Sequence, residues 1–216
     1  MGKKIFLDIE TIPPDKSAPP VREKIKTCSD EEYRKLALEP EYSRLLCIAL
    51  IIEENDRIVH RGTLGRDKGT MKFHLDEART LRAFWNLVRD FNVYRDLFIG
   101  WNILDFDLHT ICMKSVIHQV KPSVELNFRR FVEDRGILDV MWSLEKWRRR
   151  LSLDEAAKIL GLESSKRDGI NGAKVYDFFL EGRHQEICDY ALRDTELTRE
   201  IYYRLKFLKK PESGES

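Results

Sequence analysis

The sequence predicts an α/β protein built on a mixed β-sheet flanked by helices. Short runs rich in Ile, Leu, Val and Phe alternate with stretches of helical apolar spacing, which indicates strands and helices in turn along the chain. Two early runs are separated only by the turn-forming Glu54-Asn55-Asp56, so the sheet begins with an antiparallel pair and is not purely parallel.

Each element has its own reason. Residues 3–9 form a short apolar strand, stopped by Pro13-Pro14. The four prolines within residues 12–20 predict irregular chain. Ser29 and Glu32 have capping-box spacing, which starts a polar helix running to Leu38, with Pro40 just beyond it. Residues 45–52, LLCIALII, read as a strand buried on both faces, and residues 57–64 as its neighbour. Leu75, Ala78, Leu81, Trp85 and Val88 mark one stripe of a helix over 75–91. Residues 97–101 (LFIGW) form a strand, followed by Asn102 and a helix over 106–120. Residues 136–140 (GILDV) form a fifth strand passing into a helix through Trp142 and Trp147, and 153–160 form a short helix ended by Gly161. The last and longest helix covers 183–208.

Composition narrows the function classes. The 216 residues are 42% hydrophobic and 35% charged, as in a globular protein able to bury a core. With 38 basic and 37 acidic residues the net charge is +1, so nucleic-acid contact must come from local patches. The visible patches are Phe128-Arg129-Arg130 and residues 146–150 (KWRRR), where Trp147 offers a stacking face and a solvated helix face is the ordinary explanation. No apolar run approaches the roughly 18 residues that span a bilayer, and no signal-peptide core opens the chain. Cys28, Cys47, Cys112 and Cys188 are widely spaced, consistent with reduced thiols in a cytoplasmic protein.

Several carboxylates break this ordinary pattern. Residues two apart on a strand share a face, so Phe6, Asp8 and Glu10 lie on one side of the first strand and Ile5, Leu7 and Ile9 on the other. Two adjacent carboxylates on an apolar strand either emerge into water or need a cation, and hard ions such as Mg²⁺ or Mn²⁺ take such oxygens. In the last helix the apolar stripe runs Ile187, Ala191, position 194, Thr198, Ile201, Leu205, and position 194 is Asp. A carboxylate in a core-facing stripe is either a buried Asp satisfied by hydrogen bonds or a ligand. Tyr190 lies one turn earlier on the same face. Asp107 follows a strand at the start of a helix, where it could cap the helix or face a ligand at the end of the sheet. Asp139 either caps a helix or supports the site carboxylates from behind, with the cap ahead.

In order, D-x-E in FLDIET, N-x-x-x-F-D in GWNILDFDL and Y-x-x-x-D in YALRD resemble the three motifs of the DEDD 3′→5′ exonucleases, in the DEDDy branch. The resemblance covers nearly the whole chain. It is strongest to free-standing predicted exonucleases related to the family-B DNA polymerase exonuclease domain, which also carry a polar helical segment after the first motif and a Gly-x-x-Val-Tyr stretch, here Gly172 to Tyr176. His184 lies too far from Asp194 for the histidine branch, and His109 is assigned no role.

The resemblance implies a ribonuclease H-like fold, with residues 1–208 as a single exonuclease domain, 13–42 as a polar helical insertion and 209–216 as a flexible tail. It implies two divalent ions, Mg²⁺ or Mn²⁺, held by Asp8, Glu10, Asp107 and Asp194, with Asp8 bridging both. Tyr190 would orient the attacking water, and Thr11, Asn102 and Phe106 would contact the substrate; for Phe106, packing into the core is an equal alternative. The expected reaction releases nucleoside 5′-monophosphates from single-stranded DNA or RNA 3′ ends, DNA ahead of RNA. Candidate protein partners are a polymerase or repair and processing proteins; oligomeric state is not legible. A non-catalytic nucleic-acid-binding scaffold on the same fold, or a separate proofreading subunit, are the alternatives. The insertion could also arch over the site and restrict entry to single strands.

Overall fold

In the computed structural model, which describes residues 2–17, 19–128, 136–145, 150–166 and 169–211, one sheet carries five strands in the order β3-β2-β1-β4-β5. These are β1 (Lys4–Ile12), β2 (Arg44–Glu54), β3 (Arg57–Leu64), β4 (Leu97–Gly100) and β5 (Ile137–Asp139). β1 pairs antiparallel with β2, and β2 with β3, whereas β4 and β5 join in parallel, so the sheet is mixed as the sequence predicts. Asn55 and Asp56 both take positive φ in the β2–β3 turn, the backbone that a tight hairpin of this twist requires.

The period-2 alternation of β1 sorts two cores. Ile5, Leu7 and Ile9 join Leu45, Ile48 and Leu50 of β2 beneath α3 (Glu77–Leu87) and α4 (Asp107–Ile117), whose Phe84, Trp85, Leu108 and Ile111 close that layer. Phe6 faces the other way and packs with Ile51, Ile99, Leu197 and Ile201 under α8 (His184–Leu205). Ile12, Cys47 and Ala49 meet Ile187 and Ala191 of α8 and Phe178 of α7 (Val175–Leu180). Each such side chain contributes roughly 1.5–3 kcal/mol by leaving water. β1 is therefore gripped on both faces, and side chains near its end are positioned by rigid neighbours.

Several boundaries differ from expectation for local reasons. β1 runs on to Ile12, and the following stretch is not irregular to Pro20: α1 (Pro19–Ile25) begins on Pro19-Pro20. Proline is tolerated in a first helical turn, where its missing N–H has no partner to lose. α3 starts at Glu77 rather than 75, because Leu75 has φ 57° and Asp76 caps the helix through the Arg79 amide at 2.8 Å. α2 (Asp30–Lys35) has the predicted capping box of Ser29 and Glu32 and continues as a 3₁₀ turn, Leu36–Leu38. α5 (Val140–Glu145) and α6 (Leu153–Ile159) stand where helices were expected, while the 3₁₀ turn Gly172–Lys174 and α7 were not foreseen. Most of the two basic patches, including Arg129, Arg130 and Trp147, lies outside the described residues.

The insertion has a small core of its own, Val21, Tyr33 and Leu36 packed with Tyr42 and with Tyr176 of α7. The Tyr33 hydroxyl donates to the Pro14 carbonyl at 2.7 Å, and Arg34 bridges to Asp177 at 2.8 Å. The segment is thus fastened to α7 at the side of the sheet. At the opposite end of the sheet, fully buried Arg199 pairs with Glu53, which also accepts from Tyr203. Arg199 also donates to the Pro211 carbonyl at 2.9 Å, and Lys210 reaches Glu196 at 3.2 Å. Residues 209–211, the start of the expected tail, are therefore tied to α8. Among the described residues no helix is long and apolar enough to cross a membrane.

Candidate active site

Two rigid elements bring three carboxylates together. β1 presents Asp8 and Glu10 on the face it turns to α8, and the buried stripe Ile187, Ala191, Thr198, Ile201 of α8 presents Asp194 to the same space. One oxygen from each of Asp8, Glu10 and Asp194 lies within 4.8 Å of the others. Immediately beyond Glu10 the ladder to β2 slips: Glu10 pairs with Cys47 but Thr11 with Leu45, leaving Leu46 as an extra residue. The extra residue makes β2 the bulged strand, and it is β2 that bends here, opposite the second carboxylate.

The electrostatics of the cluster are unfavourable without a cation. Burial, followed by the charges of Asp107, Glu10 and Asp194, pushes the Asp8 carboxyl well above the ordinary carboxylate range. Glu10 is driven the same way by burial, then by Asp194 and Asp107. Asp194 is raised by burial, partly offset by the hydroxyls of Ser165 and Tyr190 that lie against it. Asp8 Oδ2 and Asp194 Oδ1 are buried and accept no hydrogen bond. Among the described residues no Lys or Arg forms an ion pair with any of the three. Converging acids with orphaned oxygens fit a hard divalent cation, which would replace both missing hydration and missing countercharge.

Asp107 stands beside this cluster, as the first residue of α4. Its Oδ1 accepts from the Ile9 amide at 3.0 Å, so the carboxylate is fastened to β1 between Asp8 and Glu10. That bond runs across to the strand, whereas an N-cap side chain would bond amides of its own helix. Burial raises Asp107 to about 8, with the Ile9 amide and its own amide pulling in the opposite direction. Tyr190 is buried one turn before Asp194; burial and the surrounding acids raise its phenol, so it remains protonated and able to donate.

The loop between β4 and α4 carries Asn102 and Phe106. Gly100 allows the chain to fold back, since a Cβ there would meet Ile103 Cβ at 2.7 Å. Asn102 takes φ 59°, and its Oδ1 is buried without a partner. The loop is held by Asp139, whose carboxylate accepts from the amides of Asn102 at 3.1 Å, Leu104 at 3.2 Å and Trp142 at 3.3 Å. Asp139 is therefore both a helix cap for α5 and a clamp on the loop. Phe106 is half-buried and packs against the core beneath α4, as the packing reading anticipates. The Thr11 hydroxyl donates to the Ala37 carbonyl at 2.6 Å, which joins the end of β1 to the insertion. Exposed Arg150, the described end of the second basic patch, approaches Asp105 of this loop at 3.5 Å.

Two features lay outside sequence reasoning. Ser165 lies in a polar stretch with no periodicity, yet it is buried against Asp194. Cys47, the β2 partner of Glu10, touches Cys188 of α8 beneath the acids, and both thiols are free. Strand pairing alone would have revealed Cys47; the Ser165 loop carries no signal.

Residues 37–213 match the family described as "Predicted 3'-5' exonuclease related to the exonuclease domain of PolB". That span contains Asp107, Tyr190 and Asp194 but begins after Asp8 and Glu10. The fold is similar to that in the "Structure of the family B DNA polymerase from the hyperthermophilic archaeon Pyrobaculum calidifontis", with TM-score 0.66 and 17% identity over 95% of this chain. The chain spans 25% of that polymerase, so the likeness concerns one part of it and shows the fold, a ribonuclease H-like mixed sheet with flanking helices. No curated protein matches the chain.

Proposed function

The chain belongs to the family of predicted 3′-5′ exonucleases related to the exonuclease domain of PolB, and from that premise we propose a metal-dependent hydrolysis of single-stranded 3′ ends that releases nucleoside 5′-monophosphates. The observation that carries the metal dependence is the convergence of Asp8, Glu10 and Asp194 within 4.8 Å, with orphaned oxygens on Asp8 and Asp194 and no paired cation among the described residues. These three residues would hold one divalent ion, and Asp8 with Asp107 a second. Two such ions, Mg²⁺ or Mn²⁺, supply activation of water and neutralisation of charge on the phosphodiester.

The remaining groups do the positioning. Tyr190, protonated and buried beside Asp194, donates to and orients the attacking water. Asn102 contacts the terminal nucleotide through its side-chain amide, whose buried Oδ1 has no partner within the protein, with Asp139 fixing the backbone that carries it. The exposed part of Phe106 offers a face for stacking, which is tolerant of base identity. Thr11 contributes to the substrate wall through its position, since its hydroxyl is held by Ala37.

Residues 1–208 act as one exonuclease domain, with 13–42 inserted. The polymerase likeness supports DNA ahead of RNA, and a polymerase or repair and processing proteins as partners. Four free thiols support a cytoplasmic setting. The test is a gel of matched 5′-labelled single-stranded DNA and RNA with Mg²⁺, Mn²⁺ or EDTA. A metal-dependent ladder shortening from the 3′ end is expected. Binding without cleavage of either strand would instead identify a nucleic-acid-binding scaffold.

A further inference from the structure

Beside the acidic cluster the insertion and α7 enclose a second feature, a cleft of about 450 Å³. Its lining includes Thr11 at the end of β1, Glu31, Arg34, Lys35 and Leu38 of the insertion, and Ala173 and Tyr176. We propose that this cleft receives a nucleobase of the substrate strand upstream of the nucleotide being removed, making the insertion a substrate-positioning element. This rests on the exonuclease reading and adds a base-binding subsite to it.

Four observations support the assignment. First, the cleft lies one residue along β1 from the acids: Thr11, which lines it, follows Glu10, and its hydroxyl is bonded to Ala37 of the same wall. Second, the lining chemistry suits a base. Leu38 is 66% exposed at the cleft, a cost in water that an apolar planar partner would relieve, and Tyr176, whose ring lies under the Arg34 guanidinium at 5.4 Å, adds further apolar surface to the wall. Third, the two walls are in contact with each other. Arg34 spans them, bonded to Asp30 at 3.0 Å and Asp177 at 2.8 Å, and Tyr33 packs edge-on to Tyr176 with ring centroids 6.1 Å apart. Preformed clefts of a few hundred Å³ with few polar groups are the usual form of small-ligand sites.

Fourth, the rim offers a cation. Among the described residues Lys35 pairs with Glu31 alone, at 2.6 Å, in a pair whose side chains are 65% and 78% exposed. Such a pair contributes little and is readily exchanged for a phosphate. Arg34 already faces two carboxylates, Asp30 and Asp177, and Lys35 one, so the phosphate contact falls to Lys35.

The test is an abasic scan read by binding. The full chain is kept in EDTA, and its affinity is measured by fluorescence anisotropy for 5′-labelled single strands carrying one abasic residue at successive positions from the 3′ end. Loss of one base from its pocket is expected to weaken binding by about 5- to 150-fold at one internal position, from the roughly 1–3 kcal/mol of a stacked base. The scan is repeated with Ala173→Phe, which fills the cleft from an exposed position, and with Leu38→Asp. In both variants the intact strand should bind more weakly and the sensitivity at that internal position should vanish. A uniform loss across all positions, or an abasic penalty unchanged by Ala173→Phe, would overturn the proposal. Because the readout is binding without metal, absence of hydrolysis in the gel assay would overturn the exonuclease mechanism without deciding the base pocket.

Discussion

The acids of the site make the metal-free protein an uneasy structure at neutral pH, and Asp107 is where this is most measurable. Its carboxyl is raised by burial to about 8 in the folded protein, against 3.8 ordinarily. Between those values the unfolded chain has released the proton and the native chain still holds it. A group raised in this way contributes stability at low pH that is lost as pH rises toward its folded value. The slope is about 1.4 kcal/mol per pH unit for each such proton. Asp8, Glu10 and Asp194 are shifted in the same direction by burial and mutual repulsion. Urea unfolding with chelator present, at three pH values from about 5.5 to about 7.5, should therefore show stability falling by at least roughly 1 kcal/mol per unit. Asp107→Asn keeps an oxygen for the Ile9 amide and removes the titration, so its profile should be shallower by about that amount. A divalent ion at about a hundred times its dissociation constant should restore about 2.7 kcal/mol, and more effectively at the higher pH because binding displaces protons. A flat metal-free profile, one that rises with pH, or an unchanged slope in Asp107→Asn would refute the electrostatic reasoning.

Two further outcomes follow from single side chains. Tyr190→Phe removes the donor beside Asp194 while keeping the ring, so turnover should fall about 10- to 100-fold with metal affinity, read by calorimetry, unchanged. Asp139→Ala leaves the amides of Asn102, Leu104 and Trp142 without their acceptor, which should lower unfolding stability by about 2–4 kcal/mol and raise KM more than it lowers kcat.

The sheet was legible because its signals are local. The alternation of β1, the continuous apolar run of β2 and the Asn55-Asp56 turn each describe their own geometry. The acidic site was legible for the opposite reason: Asp194 violates the stripe of α8, and that violation makes sense only if something distant requires it. Less was visible where contacts are non-local and unpatterned. Nothing in the chain before Asp107 announces that the Ile9 amide will take its oxygen, and Asp139 could be read as a cap without showing that it also holds Asn102. The irregular reading of residues 12–20 counted prolines without allowing for a first helical turn. Short α7 has too few residues for a periodicity, and with it went the cleft that α7 and the insertion form together. Thr11 illustrates the difference between a motif and a structure: the motif placed it near substrate, and the fold shows its hydroxyl joined to Ala37.

The most direct test concerns Asp8, which shares an acidic cluster with Glu10 and Asp194 and feels the charge of Asp107. Release of nucleoside 5′-monophosphates from a single-stranded oligonucleotide should be measured with Mn²⁺ for the wild-type chain and for Asp8→Asn, after circular dichroism shows both folded. The wild-type protein should release mononucleotides only with metal present, and Asp8→Asn should be slower by about 1,000-fold or more, the loss of several kcal/mol of charge stabilisation. Release by Asp8→Asn at the wild-type rate, or release by the wild-type protein that survives chelation, would contradict a metal-dependent site built on these acids.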